Sequence, residues 1–197
     1  MTQLNVSEIA YLLGLDFIHY KVNLESSSPF CKFVETLRRV GDEMDQKYDH
    51  KLIWMVNQLS VESSLKAKET VYTIFDAMFE DGVCSWGRIV TMYVFTARLA
   101  KYCKNEKNSN TSVEDLSTYV SDYIVRHLAR WIEDQGRWAN FYDHFKSSDA
   151  EKKSPFMTCL MGIFLSGLFF FSYMEDIELM TSHTHIKSIH DGKEHRT

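Results

Sequence analysis

No proline interrupts residues 30–154: Pro29 and Pro155 bracket them, and the whole chain holds just two prolines and eight glycines. Average usage would give roughly 5% Pro and 7% Gly. So long a stretch without a fixed φ or a missing N–H favours long helices over a β sandwich, which needs frequent turn residues. Hydrophobic residues make up 45% and aromatics 14%, too rich for a disordered chain. Cys31, Cys84, Cys103 and Cys159 are too few and too scattered for a disulfide scaffold, and no CxxC occurs. A length of 197 residues suggests one domain plus an appendage. The net charge of −5 and pI near 5.9 give no global electrostatic support to nucleic-acid binding.

Residues 1–7 are polar and lead into an amphipathic run, so a secreted fate is not expected and the cysteines are expected as reduced thiols. Residues 154–174 (SPFMTCLMGIFLSGLFFFSYM) carry no Asp, Glu, Lys, Arg or His. At about 1.5 Å per residue the run spans roughly 30 Å, the thickness of a bilayer's hydrocarbon core. Lys152 and Lys153 precede it, and Glu175 and Asp176 follow, which puts the N-terminal body in the cytosol. The expected organisation is a helical domain over 1–153, a transmembrane tail anchor over 154–174 and a polar tail over 175–197. That tail contains His183, His185, His190 and His195. Such a set could hold a metal, but no Cys or carboxylate pattern completes a site, so a flexible tail without metal is expected.

The body reads as successive amphipathic helices, an all-α bundle. Ile9, Leu12, Leu13, Phe17, Tyr20 and Leu24 fall at helical spacing in the first helix. After the turn ESSSP (25–29), a second helix is expected over 30–59, with Phe33, Leu37, Val40, Met44, Tyr48, Leu52 and Met55 on one face. Ser63 or Ser64 can cap a third helix running to Phe79, which Asp81-Gly82 ends, and Ser85 can cap the next. Residues 89–97 (IVTMYVFTA) have no charge, so the helix over 86–103 must be enclosed on all sides. Ser112 and Asp115 open a helix to Arg130 as a capping-box-like pair. WIEDQGRW (131–138) then bends around Gly136.

A search for catalytic motifs finds no GxGxxG, GxxxxGK[ST], HExxH or GxSxG. His19, His50, His127 and His144 read as helix-surface residues, and neither catalysis nor a cofactor is expected. Three other segments break local preference. In the second helix, Gly41 and Asp42 lie beside the stripe Phe33, Leu37, Val40 and Met44. A mid-helix glycine costs about 1 kcal/mol against alanine, which is tolerated where another helix must approach closely. The adjacent acid calls for a fixed ionic partner. In DGVCSWGRIV (81–90), Gly87 and Arg88 sit in a helix's first turn, where glycine costs entropy and a cation meets the positive dipole end. A carboxylate should therefore face Arg88. WIEDQGRW places two tryptophans around a glycine turn as a rigid corner.

LRRVGDEM (37–44), DGVCSWGRIV and WIEDQGRW resemble the third, first and second homology regions of the Bcl-2 family of apoptosis regulators, in the family's order and at its separations. Ile18-His-Tyr-Lys21 resembles the looser fourth region. With the apolar run, the resemblance covers most of residues 6–174. ETLRRVGD and WGRIVT are most similar to the myeloid-cell-leukaemia type of pro-survival member, and RWIEDQGRW also resembles Bak-type members. Ser85 stands where the family usually has Asn, and Arg137 where a second glycine is common.

The resemblance implies a bundle of about eight helices around a central hydrophobic hairpin, with a surface groove that takes a partner's amphipathic helix. On matching positions Arg88 would pair with the partner's Asp, Gly87 would permit close approach, and Ser85 would flank them. Met44, Tyr48, Leu52, Met55, Ile74, Met78, Thr91 and Phe95 would line floor and walls, with Phe145 near one end. Removing Arg88 is expected to weaken ligand-helix binding at least about tenfold without unfolding the chain. The implied function is pro-survival: sequestering the death-promoting helices of relatives at the cytosolic face of the mitochondrial outer membrane or the endoplasmic reticulum. The alternative is a pore-forming, Bax- or Bak-like member, whose stripe Phe33, Leu37, Val40, Gly41, Asp42 and Met44 would be expelled and donated to another copy.

Overall fold

Short polar side chains set four of the helix starts. In the computed structural model, which describes residues 5–24, 31–59, 63–105 and 110–146, Asn5 Oδ1 accepts from the Glu8 backbone N–H at 2.8 Å. Glu8 answers on the Asn5 N–H at 2.8 Å. That reciprocal box opens α1 (Val6–Lys21). α2 (Lys32–Lys47) and α3 (Asp49–Asn57) follow. The Ser63 hydroxyl accepts from Lys66 N at 3.2 Å and opens α4 (Ser64–Phe79). Ser85 does the same for Arg88 N at 3.3 Å and opens α5 (Trp86–Asn105). The Ser112–Asp115 box, with bonds of 3.0 and 3.2 Å, opens α6 (Val113–Tyr123). A π-helical turn (Ile124–Leu128), α7 (Ala129–Asp134) and α8 (Arg137–Lys146) complete the order. No strand occurs among the described residues. All of them lie in the compact unit Met1–Phe156.

The enclosed helix is α5. Every residue from Ile89 to Ala97 is at most 2% exposed, and α1, α2, α3, α4 and α6 all pack against it. Each large apolar side chain buried there contributes about 1.5–3 kcal/mol. The polar groups along it are satisfied locally: Thr96 Oγ1 donates to the Met92 carbonyl at 2.8 Å, and the Tyr93 hydroxyl to the Ala10 carbonyl at 3.1 Å. α6 packs on α1, α4 and α5 but keeps Glu114 and Thr118 in solvent. The stretch Ile89–Ala97 of α5 is thus enclosed, with α6 packed beside the helix.

Two expected helices are interrupted. The helix expected over 30–59 breaks at Tyr48, with φ −117° and ψ 17°. The charges at the break suit two helix ends: Lys47 lies in the last turn of α2 and Asp49 in the first turn of α3, each matching its dipole end. The Arg98 guanidinium, from α5, bonds to Asp45 on one side of the break and Asp49 on the other. The helix expected over 112–130 contains the π turn. Its inward residues Leu116, Val120, Ile124, Leu128 and Ile132 recur every four positions and are all buried. In an α-helix each four-residue step overshoots a full circle by about 40°, so the stripe would wander off the core side. The wider π turn winds it back.

The tryptophan corner forms as expected. Gly136 takes φ 92° and Arg137 φ 62°. The Trp86 ring lies 5.0 Å from Trp131 and 5.6 Å from Trp138, centroid to centroid. Trp138 Nε1 donates to the Val6 carbonyl at 3.2 Å, tying α8 to the start of α1.

Among the described residues no helix is long and apolar enough to cross a membrane. The turn at 25–29, the apolar run 154–174 and the tail 175–197 with its histidines lie outside the described residues.

Candidate functional site

The stripe of α2 faces the protein's own interior. Val34, Leu37, Val40 and Gly41 are buried, and Phe33 and Met44 are half-buried. The close approach that Gly41 requires comes from α1: a Cβ there would lie 2.6 Å from Phe17 Cζ. The ionic partner of Asp42 is also on α1. Lys21 Nζ donates to it at 2.9 Å, and the Tyr20 hydroxyl at 2.6 Å. Lys21 reaches Asp45 at 2.6 Å as well. Asp45, 6% exposed, thereby sits between Lys21 and Arg98. On the next turn Arg38 binds Asp16, 2% exposed, through two bonds of 2.8 and 2.9 Å.

Beyond this clasp, hydrogen bonds link some of the positions that the resemblance assigned to the groove. Thr91, one turn after Arg88 on α5, donates through Oγ1 to Met44 Sδ at 3.3 Å and to the Gly87 carbonyl at 2.9 Å. Met78 brings the end of α4 to Arg88, whose guanidinium donates to the Met78 carbonyl at 3.0 Å. Leu52 and Met55 lie on α3, which packs on α5, and Phe95 lies fully buried on α5. Leu52, Met55, Met78, Arg88, Thr91 and Phe95 are buried. Met44, Tyr48, Ile74, Ser85 and Gly87 are half-buried. Phe145 is set apart on the α2–α8 side: its carbonyl accepts from Arg39 at 2.9 Å and its ring lies 5.2 Å from Phe141.

Arg88 meets its carboxylate, but within the chain. Its Nη1 bonds to Asp81 Oδ1 and, at 2.6 Å, to the Val83 carbonyl, while Nη2 reaches Asp81 Oδ2 at 2.6 Å. The side chain is therefore a strut between the end of α4, the 80–85 turn and α5. Its truncation would remove the bonds to the Met78 and Val83 carbonyls and should lower stability as well as any binding. The Arg88 guanidinium holds the Asp81 carboxyl well below its ordinary value, at about 2. Nearby, burial pushes the Cys84 thiol up to about 11 against the opposing pull of Arg88. Cys31 and Cys84 are free thiols. His50, His127 and His144 are exposed, and half-buried His19 lies 3.6 Å from Glu114. No cluster able to hold a metal occurs among the described residues.

Several residues were not anticipated. Asp81 is one, although an acid just outside the start of a helix that carries an unfavourable arginine was a usable signal. Asp45, Lys21 and Arg98 are others. Ile53 and Trp54 on α3, 42% and 46% exposed, and Leu65 on α4, 68% exposed, are apolar groups left in solvent on the helices that pack against α5. Their positions opposite Leu52, Met55 and Val56 could have revealed the first two.

The sequence profile of a family described as apoptosis regulator proteins, Bcl-2 family, matches residues 37–138. The apoptosis regulator Bcl-2 of Cricetulus griseus is 32% identical over 113 residues, 57% of this chain and 47% of that protein. The Bcl-2-related protein A1 of Bos taurus is 27% identical over 160 residues, 78% of this chain and 89% of that protein. The chain thus spans about half the length of the Bcl-2 proteins it matches. Among solved structures, the zebrafish pro-survival protein NRZ in complex with a Bad BH3 segment superposes with a TM-score of 0.64. The match has 21% identity and covers 71% of this chain and 94% of that one. NRZ without a ligand gives 0.61, again at 21% identity, covering 72% and 93%. At that identity the likeness establishes the fold.

Proposed function

The chain belongs to the Bcl-2 family of apoptosis regulators, and on that premise we propose that it is a pro-survival member. It receives the amphipathic death-promoting helix of a relative on the face formed by α2, α3, α4 and α5, and so restrains permeabilisation of the mitochondrial outer membrane. The observation that carries this reading is the clasp on α2. Leu37, Val40 and Gly41 are buried, Asp42 is held by Tyr20 and Lys21, Asp45 by Lys21 and Arg98, and Arg38 by Asp16. A pore-forming member would have to expel this helix and donate it to another copy. Stripping one partner from a buried ion pair costs about 3–5 kcal/mol. The clasp makes α2 a fixed wall, suited to receive a helix rather than to become one.

Further support comes from the half-buried Met44, Tyr48 and Ile74 and the buried Leu52, Met55, Met78 and Phe95, a set suited to helix-in-groove recognition. NRZ, described as pro-survival and solved with a Bad BH3 segment, is consistent with the same role. In this reading residues 154–174 anchor the domain to the cytosolic face of the outer membrane, and cell fractionation separates that address from the endoplasmic reticulum.

Dye-loaded liposomes of outer-membrane composition test the proposal. Added to a Bax-like executioner and an activating helix, the full chain should suppress release in proportion to its concentration. Release by the chain itself, on adding the activating helix alone, would overturn the pro-survival reading in favour of the pore-forming one.

A further inference from the structure

α3 has little of its own to hold it in place. It runs 9 residues, and an isolated helix that short is marginal in water. Tyr48 at its start supplies no side-chain cap, unlike the residues that open α1, α4 and α6. Ile53 and Trp54 are 42% and 46% exposed, so much of its apolar surface stays outside the core. An open cavity of about 410 Å³, lined by residues 46–51, lies at the break before it. Packing there leaves the start of α3 room to shift.

Arg98 ties that start down. It is the first charge after the uncharged run 89–97, and its side chain is 14% exposed. The guanidinium spans the break: Nε bonds to Asp45 Oδ1 in α2, and Nη2 to Asp49 Oδ1 at the start of α3. The Asp45 end is firm, because Lys21 of α1 holds its other carboxylate oxygen at 2.6 Å. Asp49 is the one acid in the sequence from 46 to 61. Leu52 and Met55, two positions that the resemblance assigned to the groove, follow Asp49 within two turns.

We infer that Arg98 is a positioning residue for helix binding: by bridging Asp45 and Asp49 it fixes α3 in the direction that presents Leu52 and Met55 to a ligand helix. This deepens the proposed helix binding and rests on it. Apparent affinity scales with the fraction of molecules whose binding surface is already in place. A guanidinium fork can span two acids, whereas an ammonium is a single point.

The test pairs amide hydrogen exchange of the full 197-residue chain with calorimetric titration by a synthetic Bad BH3 peptide, the segment solved with NRZ. In Arg98→Met, residues 52–57 should lose most of their protection while α6 keeps its own, and the peptide should bind about tenfold more weakly. Asp49→Asn cuts the α3 end alone and should move both readouts the same way, by about twofold to fivefold. Added to Arg98→Met, it should change nothing more. Arg98→Lys keeps a cation beside Asp45 and should restore the melting temperature but not the affinity. Unchanged exchange in α3, or equal acceleration in α3 and α6, overturns the inference; if Arg98→Met does not fold, Asp49→Asn decides by the same criterion. A loosened α3 with full affinity, or an Arg98→Lys chain that binds like the parent, also overturns it and leaves helix binding in place. A further loss from Asp49→Asn in the Arg98→Met chain would assign Asp49 to the helix dipole and overturn the bridge. A parent chain that does not bind the peptide overturns the helix-binding reading, and the inference with it.

Discussion

Phe17 occupies the space that any side chain at Gly41 would need: a Cβ built there would lie 2.6 and 2.7 Å from two atoms of the Phe17 ring. Helix propensity alone would favour alanine at residue 41 by about 1 kcal/mol. The contact reverses that sign. Gly41→Ala should destabilise the domain by about 1–3 kcal/mol, the usual effect of overpacking. Denaturant unfolding measures it, and a double-mutant cycle with Phe17→Leu should recover much of the loss because the two sites share one volume.

Asp45 and Asp42 make a second contrast. Both accept from Lys21, yet the Asp45 side chain is 9% exposed and that of Asp42 is 40% exposed. Asp45→Ala leaves Lys21 and Arg98 facing each other with half their compensation gone, and should cost about 3 kcal/mol. Asp42→Ala removes a solvated pair and should cost less than about 1 kcal/mol. Guanidinium chloride midpoints of the two variants would distinguish these outcomes.

Acid should expose the Asp81–Arg88 bond. The folded-state carboxyl titrates near 2, against an ordinary value of 3.8, because Arg88 stabilises its ionised form. A depressed folded value means that the stabilisation is complete above the ordinary value and is lost as pH falls from about 4 towards 2. The stability difference between the parent and Asp81→Asn should therefore shrink over that window and stay level above it. Urea midpoints taken across an acid series supply the measurement.

Arg137 takes φ 62°, a left-handed conformation that a non-glycine residue enters at a cost of roughly 1–2 kcal/mol. Arg137→Gly gives back part of that through its freer unfolded chain. The net expectation is a gain of about 0.5–1 kcal/mol, read as a higher melting temperature. An unchanged or lower value would mean that the arginine side chain contributes more at the corner than its exposed position indicates.

Local signals carried three of the helix starts. Ser63, Ser85 and the Ser112–Asp115 pair cap where the sequence suggested, since a cap depends on residues no more than three apart. The uncharged run 89–97 announced an enclosed helix, and enclosure followed. The odd choices at Gly41, Asp42 and Arg88 each pointed to a real neighbour. The identity of those neighbours was harder to read. Phe17, Lys21 and Arg98 are brought to α2 by the tertiary fold, and residue types alone do not say which acid meets which base. The break at Tyr48 escaped because no glycine or proline marks it; Arg98, 53 and 49 residues from Asp45 and Asp49, holds both sides. At the site, the groove positions came from the resemblance of the motifs, whereas prior occupation of Arg88 by Asp81 depends on the conformation of the intervening turn.

The π turn at Ile124–Leu128 holds a little slack in an otherwise tightly wound rod. Removing one residue from the first two turns of α6 would swing everything beyond it through about 100°, turning Leu128 and Ile132 towards water. Removing one residue from the π turn would leave an ordinary α-helix with both flanking faces still aimed at the core. Chain length and side-chain direction are uncoupled at that point. A one-residue deletion there should be absorbed with little loss of stability, while the same deletion among residues 114–121 should unfold the helix from its neighbours.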